Sequence, residues 1–189
     1  MASPKRDAIC DAALELFARQ GIESTTTREI AERAGAAEGT IYRHFQTKDE
    51  LVDWLFDTCA DRFAEVLRAS VEGETAPRPR LRRLIRGVFD FAARHPTAFT
   101  YLLSVHHTGL LERRREPPPP MRLFVETLRD GVEQGAFRPL SPVLATGWIV
   151  AMAQRAVVFS ASDLVSDGRD EVVEQTVAAA LRLVDAKGQ

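Results

Sequence analysis

Apolar residues recur at helical spacing along almost the whole chain. The first segment shows the i, i+3, i+4, i+7, i+8 spacing of one helix face, in Ile9, Ala12, Ala13, Leu16 and Phe17. This helix is expected to end near Gly21. A capping box at residues 26–29 (Thr-Thr-Arg-Glu) opens a short helix over residues 27–34, and Gly35 closes it. A third short helix is predicted over residues 38–45.

The rest of the chain continues the helical pattern. A second capping box at residues 47–50 starts a long helix with an apolar stripe at Leu51, Leu55, Cys59, Phe63 and Leu67. Residues 72–79 are predicted as a loop because they contain two prolines and no apolar periodicity. Later helices are expected over about 81–94, 98–105, 121–135, 142–161 and 169–186. No segment alternates long enough for a strand, so the predicted fold class is all-α, with about nine helices.

Composition narrows the classes of function. A chain of 189 residues is one ordinary domain or two very small ones, and its formal net charge of −2 argues against a generic polyanion binder. Residues 1–51 hold seven basic and nine acidic residues, whereas the remainder holds 18 of each. Any DNA binding must therefore depend on a few placed cations, for which Arg6, Arg28, Arg43 and Lys48 are the candidates. The arginine run over residues 78–86 is predicted to be a solvated helix face.

The cysteines and the apolar segments do not indicate a metal site or a membrane span. Cys10 and Cys59 lie in apolar helical contexts and are interpreted as small buried hydrophobes. No cofactor and no metal site is predicted. The most apolar stretch, residues 143–153, is interpreted as too short to span a bilayer, and no signal peptide is evident, so a cytoplasmic location is expected.

The two short helices joined at Gly35 have the lengths of a helix-turn-helix, buttressed by the first helix. Over residues 5–51 the sequence resembles the TetR family of bacterial transcriptional regulators. The matching elements are Ala12-Ala13, Leu16-Phe17, Gly21, Thr26-Thr27, Ile30-Ala31, Ala34-Gly35, Gly39-Thr40-Ile41-Tyr42, His44-Phe45 and Lys48-Asp49-Glu50-Leu51. Phe17, Ile30, Ile41 and Phe45 are expected to form the core of this headpiece.

A recognition helix enters the major groove with small polar residues at its start and phosphate-binding groups on its flanks. On that basis the predicted DNA-binding residues are Thr27, Arg28, Ala37, Glu38, Gly39, Thr40, Tyr42, Arg43, His44 and Lys48. Two of them depart from the family pattern. Ala37 lacks the usual capping hydroxyl, and Glu38 repels phosphate but is able to accept a hydrogen bond from a cytosine amino group. A distinctive operator is therefore expected.

Beyond residue 51 the resemblance implies a helical body that encloses a ligand cavity and dimerises through the last two helices. The predicted domains are residues 1–51, which bind DNA, and residues 52–189, which bind ligand and dimerise. The candidate pocket residues are aromatics and isolated polar groups within apolar helices: Trp54, Phe89, Phe99, Tyr101, Leu102, His106, His107, Phe124, Trp148, Met152, Arg155 and Phe159. The alternative is that these aromatics belong to an ordinary core. Arg155 in particular needs an acidic partner or an anionic ligand.

These observations predict a homodimeric, sequence-specific regulator of transcription that binds double-stranded DNA at a palindromic operator. A repressor released by an unknown small molecule is favoured, and an activator or a ligand-independent regulator of the same fold remains an alternative. An enzyme using His106 and His107 with Glu112 is disfavoured, because adjacent helical residues point about 100° apart and no catalytic motif accompanies them. A protein-binding helical adaptor would leave the small residues around Gly39 unexplained.

Overall fold

The computed structural model describes residues 4–105, 116–162 and 165–185, and throughout these residues the chain is all-α. The nine helices of the described residues are α1 (Pro4–Gln20), α2 (Thr27–Arg33), α3 (Glu38–Tyr42), α4 (Lys48–Ser70), α5 (Pro77–Arg94), α6 (Pro96–Ser104), α7 (Pro119–Glu133), α8 (Pro142–Ser160) and α9 (Arg169–Val184). The predicted fold class is confirmed.

The capping box before α2 forms as predicted. Thr26 Oγ1 accepts the Glu29 N–H at 3.2 Å, and Glu29 Oε2 accepts the Thr26 N–H at 2.7 Å. Past the end of α2, Gly35 has a φ of +61°, which a side chain would strain. These two local signals set where α2 begins and ends, and packing of the buried Ile30 and Ala31 stabilises the helix between them.

Two helix boundaries differ from the sequence prediction by three residues or more. The helix α3 ends at Tyr42 and not at Phe45, because the N–H groups of His44 and Phe45 both donate to the carbonyl of Ile41 and close the last turn. The helix α5 begins at Pro77, within the predicted loop. Proline is tolerated there because the first-turn N–H groups of a helix have no intrahelical acceptor.

The chain forms two compact units, divided within α4 after Ala60. The first unit contains α1, α2, α3, the start of α4 and α6. Its core includes Phe17, whose ring stacks on Tyr101 with centroids 6.0 Å apart. Tyr101 is fully buried, and its hydroxyl donates to the Val52 carbonyl at 2.7 Å. The predicted headpiece core is confirmed, since Phe17, Ile30, Ile41 and Phe45 are all buried.

The second unit contains the rest of α4 together with α5, α7, α8 and α9, and α5 packs against the last three of these. The arginines of α5 are paired within this unit. Arg78 pairs with Asp185 at 2.9 Å, and Arg82 and Arg86 both pair with Glu174 of α9. These arginines are exposed, as predicted for a solvated face.

The helix α8 is less buried than its composition suggests. Of the described helices, only α8 is long and apolar enough to cross a membrane by length and composition, and 28% of its tested stretch is buried inside the chain. The shortness of residues 143–153 therefore does not by itself exclude a span, because the apolar segment extends through the whole helix. A helix packed in a protein core meets the same criteria.

Candidate nucleic-acid interface

The start of α3 is exposed to solvent and carries the small residues Ala37 and Gly39. Ala37 is the N-cap in extended conformation and makes no side-chain cap, as predicted. Ala37, Glu38 and Gly39 are exposed, whereas Ile41 on the opposite face is buried. A Cβ added at Gly39 would meet no protein atom within 4 Å. Packing within this unit therefore does not require glycine at position 39, and the surface is free for a DNA base edge.

A hydrogen-bonded trio links α2 to α3 at this surface. Thr27 Oγ1 donates to Glu38 Oε1 at 2.6 Å and lies 3.3 Å from the hydroxyl of Tyr42. A threonine hydroxyl has one proton, and a carboxylate only accepts, so the Tyr42 hydroxyl is the donor to Thr27. Three of the residues predicted from sequence are thus brought together, and sequence alone did not indicate that they contact each other.

The predicted cations differ in their availability. Arg28 Nε donates to Glu32 Oε1 at 2.9 Å, one turn along α2, and both side chains are exposed. Hydrogen bonding to Glu32 raises the pKa of Arg28, with smaller contributions from the charges of Glu32 and Glu38. Arg43 is exposed, and Lys48 is half-buried in the first turn of α4. His44 and Thr40 are also half-buried.

Arg6 is held against aromatic rings. Its guanidinium carbon lies 4.2 Å from the ring centroid of Trp54 and 5.1 Å from that of Phe45. The rings of Phe45 and Trp54 are themselves 5.9 Å apart. Cation–π contacts of this kind stabilise the local fold. Trp54, predicted as a pocket residue, therefore forms part of the aromatic cluster of the first unit.

The remaining candidate pocket residues are divided between the two units. Phe99, Tyr101 and Leu102 are buried in the first unit, and Phe89 and Phe124 are buried in the second. Met152 is half-buried on α8. His106 and His107 lie outside the described residues, as does Glu112. Ligand contact by this set stays a prediction.

Three candidates on α8 lie on its exposed side. The exposed fractions are 48% for Trp148 and 42% for Phe159, and Arg155 lies 6.0 Å from the Phe159 ring centroid. Ligand contact by these three residues also stays a prediction. Arg155 is exposed within its own chain, and its acidic partner or anionic ligand stays a prediction.

The second unit also contains an open cleft of about 640 Å³. It is formed by the end of α4, the connection to α5 and the start of α7. The lining residues are Arg68, Val71, Glu72, Gly73, Glu74, Thr75, Arg80, Pro119, Arg122, Leu123 and Glu126. Sequence reasoning missed this cleft because six of its eleven lining residues are charged and four of the eleven come from the predicted loop over residues 72–79.

Comparison with known proteins agrees with the helix-turn-helix geometry. The family model described as bacterial regulatory proteins of the tetR family matches residues 9–55. The transcriptional repressor KstR2 of Mycobacterium tuberculosis is 30% identical over 142 residues, which cover 71% of this chain and 70% of that protein. The uncharacterized transcriptional regulator YfiR of Bacillus subtilis is 31% identical over 148 residues, covering 74% and 71% of the two chains.

Solved structures share the whole architecture. The fatty acid degradation regulator FadR of Bacillus halodurans superimposes with a TM-score of 0.77 at 25% identity, covering 96% of both chains. AibR, solved with isovaleryl coenzyme A and operator DNA, superimposes with a TM-score of 0.74 at 19% identity, covering 94% of this chain and 97% of that one. The sequence matches and the arrangement of α2 and α3 together show that this chain belongs to the TetR family of bacterial regulatory proteins, and it is a DNA-binding regulator of transcription.

Proposed function

We propose that the protein is a homodimeric transcriptional repressor that binds a palindromic operator through α3 and is released by a small-molecule effector. The observation that carries the proposal is the open face of α3. There, the small exposed residues Ala37 and Gly39 lie on either side of Glu38, and Tyr42, Arg43 and Lys48 follow. Small residues allow a helix to approach base edges, and the flanking groups suit phosphate contacts.

The phosphate contacts are proposed for residues at the end of α3 and the start of α4. Lys48 lies in the first turn of α4, where its ammonium and the free backbone N–H groups favour a phosphate oxygen. Tyr42 is 50% exposed, and its hydroxyl proton points to Thr27 in the free protein. Because that hydroxyl has one proton, binding to phosphate would replace its contact with Thr27. Arg43 and His44 complete the proposed phosphate contacts, and Thr40 belongs with the residues of α3 that are proposed to face the bases.

Dimerisation is assigned to α8 and α9. The exposed large apolar residues of α8 are Val143 (58%), Leu144 (53%), Trp148 (48%) and Phe159 (42%). Several large apolar side chains exposed on one helix favour burial of that helix against another protein surface. Two antiparallel α8–α9 pairs related by a two-fold axis would cover it as a four-helix bundle. Such symmetry matches a palindromic DNA site.

The body, residues 52–189, is proposed to bind the effector, and the headpiece, residues 1–51, to bind DNA. Repression is favoured over activation because KstR2 is a repressor. AibR binds both isovaleryl coenzyme A and operator DNA on the same fold, and this chain is proposed to bind the same two kinds of partner, a small molecule and DNA. Effector binding would change the distance between the two recognition helices. A cytoplasmic location and the absence of enzymatic activity are proposed together with this role.

The test is a gel shift with the full chain and the DNA that flanks its own gene. Wild-type protein is expected to retard this DNA, and Tyr42→Ala and Lys48→Ala are expected to bind at least about tenfold more weakly. A matched control is Arg122→Ala, which removes an exposed cation on α7 and is expected to leave binding unchanged. Undiminished binding by both headpiece variants would overturn the proposed interface.

A further inference from the structure

We infer that Glu38 reads a base in each half-site and that Thr27 positions its carboxylate, so that the operator carries cytosine at the base pair facing the start of α3. This inference rests on the proposed function, because it assumes that α3 enters the major groove. It adds the identity of one operator base and the side chains that select it.

The geometry restricts which oxygen of Glu38 is available. Oε1 already accepts the Thr27 proton at 2.6 Å. Among the described residues, Oε2 has no hydrogen-bond partner, and the side chain is exposed. Thr27 is itself half-buried in the first turn of α2 and receives the Tyr42 proton at 3.3 Å. The carboxylate is therefore held at one oxygen and is free to accept a hydrogen bond at the other.

The chemistry of the base edges then selects the partner. A carboxylate only accepts hydrogen bonds, so it is complementary to a base that donates. In the major groove cytosine presents only its amino donor, whereas adenine presents a donor beside an acceptor. Guanine and thymine present acceptor atoms that would face the carboxylate and repel it. The expected order of preference is cytosine, then adenine, then the other two bases.

The same position disfavours nonspecific binding. Glu38 places a negative charge among the groups proposed to contact phosphates, and an unpaired carboxylate near the backbone lowers affinity for every sequence. Only a base that donates a hydrogen bond to the Glu38 carboxylate offsets this loss of affinity. Glu38 is thus expected to increase the ratio of specific to nonspecific affinity, which suits a headpiece with a net negative charge.

The experiment first selects bound duplexes from a randomised library and aligns their sequences, so that each position of the half-site is one column of the alignment. The protein is then titrated with four versions of the selected duplex, which carry each of the four bases at the selected column. Wild-type full-length protein is expected to select cytosine at one column of each half-site and to discriminate about 5- to 100-fold against guanine there. Glu38→Ala is expected to lose the preference at that column alone. Glu38→Gln is expected to shift it towards adenine, which glutamine contacts at two atoms.

The positioning role of Thr27 has its own readout. Thr27→Val removes the donor and is expected to weaken discrimination at the Glu38 column more than at the other columns, whereas Thr27→Ser retains the donor and the discrimination. Glu23→Gln removes the same charge from an exposed loop residue and is the control for Glu38→Gln. Circular dichroism establishes that each variant is folded.

The outcomes separate the two proposals. If wild-type protein enriches a symmetric sequence, and Glu38→Ala enriches the same sequence with equal strength at every column, the inference about Glu38 is overturned while DNA binding stands. Selection of guanine or thymine at the column that responds to Glu38→Ala also overturns it. If wild-type protein enriches no sequence, the proposed function itself fails, and the inference fails with it.

Discussion

The guanidinium of Arg28 is bound to the carboxylate of Glu32 one turn along α2, with 2.9 Å between Nε and Oε1. A cation that the sequence assigns to DNA is therefore already paired in the free protein. To bind a phosphate, the Arg28 guanidinium must either break its contact with Glu32 or donate to both groups at once. Because Arg28 is paired with Glu32, only part of the positive charge of residues 1–51 is available to DNA.

Replacing Glu32 by glutamine is expected to strengthen DNA binding about two- to tenfold at low salt. The change releases Arg28 and removes a negative charge from the interface, and an exposed pair of this kind contributes little to folding. Fluorescence anisotropy with a labelled operator duplex measures the affinity. The control is Glu15→Gln, which breaks the exposed pair of Glu15 with Arg33 and removes an equal charge. A Glu32→Gln affinity no higher than that of Glu15→Gln would show that Arg28 does not contact DNA.

Replacing Gly39 by alanine separates folding from binding. The new Cβ meets no protein atom within 4 Å, and alanine favours helix over glycine by up to about 1 kcal/mol. The free energy of unfolding, measured in urea, is expected to stay the same or rise. Operator affinity is expected to fall at least about tenfold, because the methyl group occupies the space of a base edge. Full affinity in this variant would contradict a close approach of α3 to DNA.

Replacing Trp148 by glutamate tests the proposed dimer. Its side chain is exposed on α8, so the change is expected to keep the helix content of the chain while it charges the apolar face. Light scattering is expected to give a mass of 21.0 kDa for this variant and about twice that for wild type. Operator affinity is expected to fall together with the mass.

The control for Trp148→Glu is Thr97→Glu, which adds the same charge at an exposed position in the first turn of α6. This variant is expected to stay dimeric. Wild-type protein of monomer mass, or wild-type protein that binds to phospholipid vesicles through α8, would contradict the assignment of this face to a second copy.

The buried thiol of Cys10 gives a pH dependence. Burial raises its pKa from 9.0 to about 12, partly opposed by the charge of Arg6. Folding therefore favours the neutral thiol, and this contribution is complete below pH 9.0 and is lost as the pH rises towards about 12. The difference in unfolding free energy between wild type and Cys10→Ala is expected to shrink over that range. If the difference in unfolding free energy does not change with pH, the raised pKa of the buried Cys10 thiol is contradicted.

The local signals in the sequence predicted much of the headpiece. Thr26 and Glu29 form the capping box and Gly35 takes the left-handed conformation, since each of these depends on residues close in sequence. One exception among the local signals is the second capping box. There Thr47 accepts the Glu50 N–H, but the Glu50 carboxylate accepts the N–H of Gln46 instead of Thr47.

Contacts between distant residues were not predictable from spacing. The trio of Thr27, Glu38 and Tyr42 depends on how α2 packs against α3, and the pairing of α5 arginines with Glu174 joins residues about 90 positions apart. The exposure of Trp148 was not predictable from the sequence for a different reason. Because α8 is apolar nearly all round, its sequence does not indicate which side faces the core of its own chain.

Hydroxyl-radical footprinting of the full chain on the DNA that flanks its gene tests the central claim most directly. A two-fold symmetric dimer with one α3 in each of two adjacent major grooves predicts two protected patches related by symmetry, with centres about one helical turn or slightly more apart. Tyr42→Ala is expected to weaken both patches equally. A single protected patch, or uniform protection that changes with salt but not with sequence, would contradict the account.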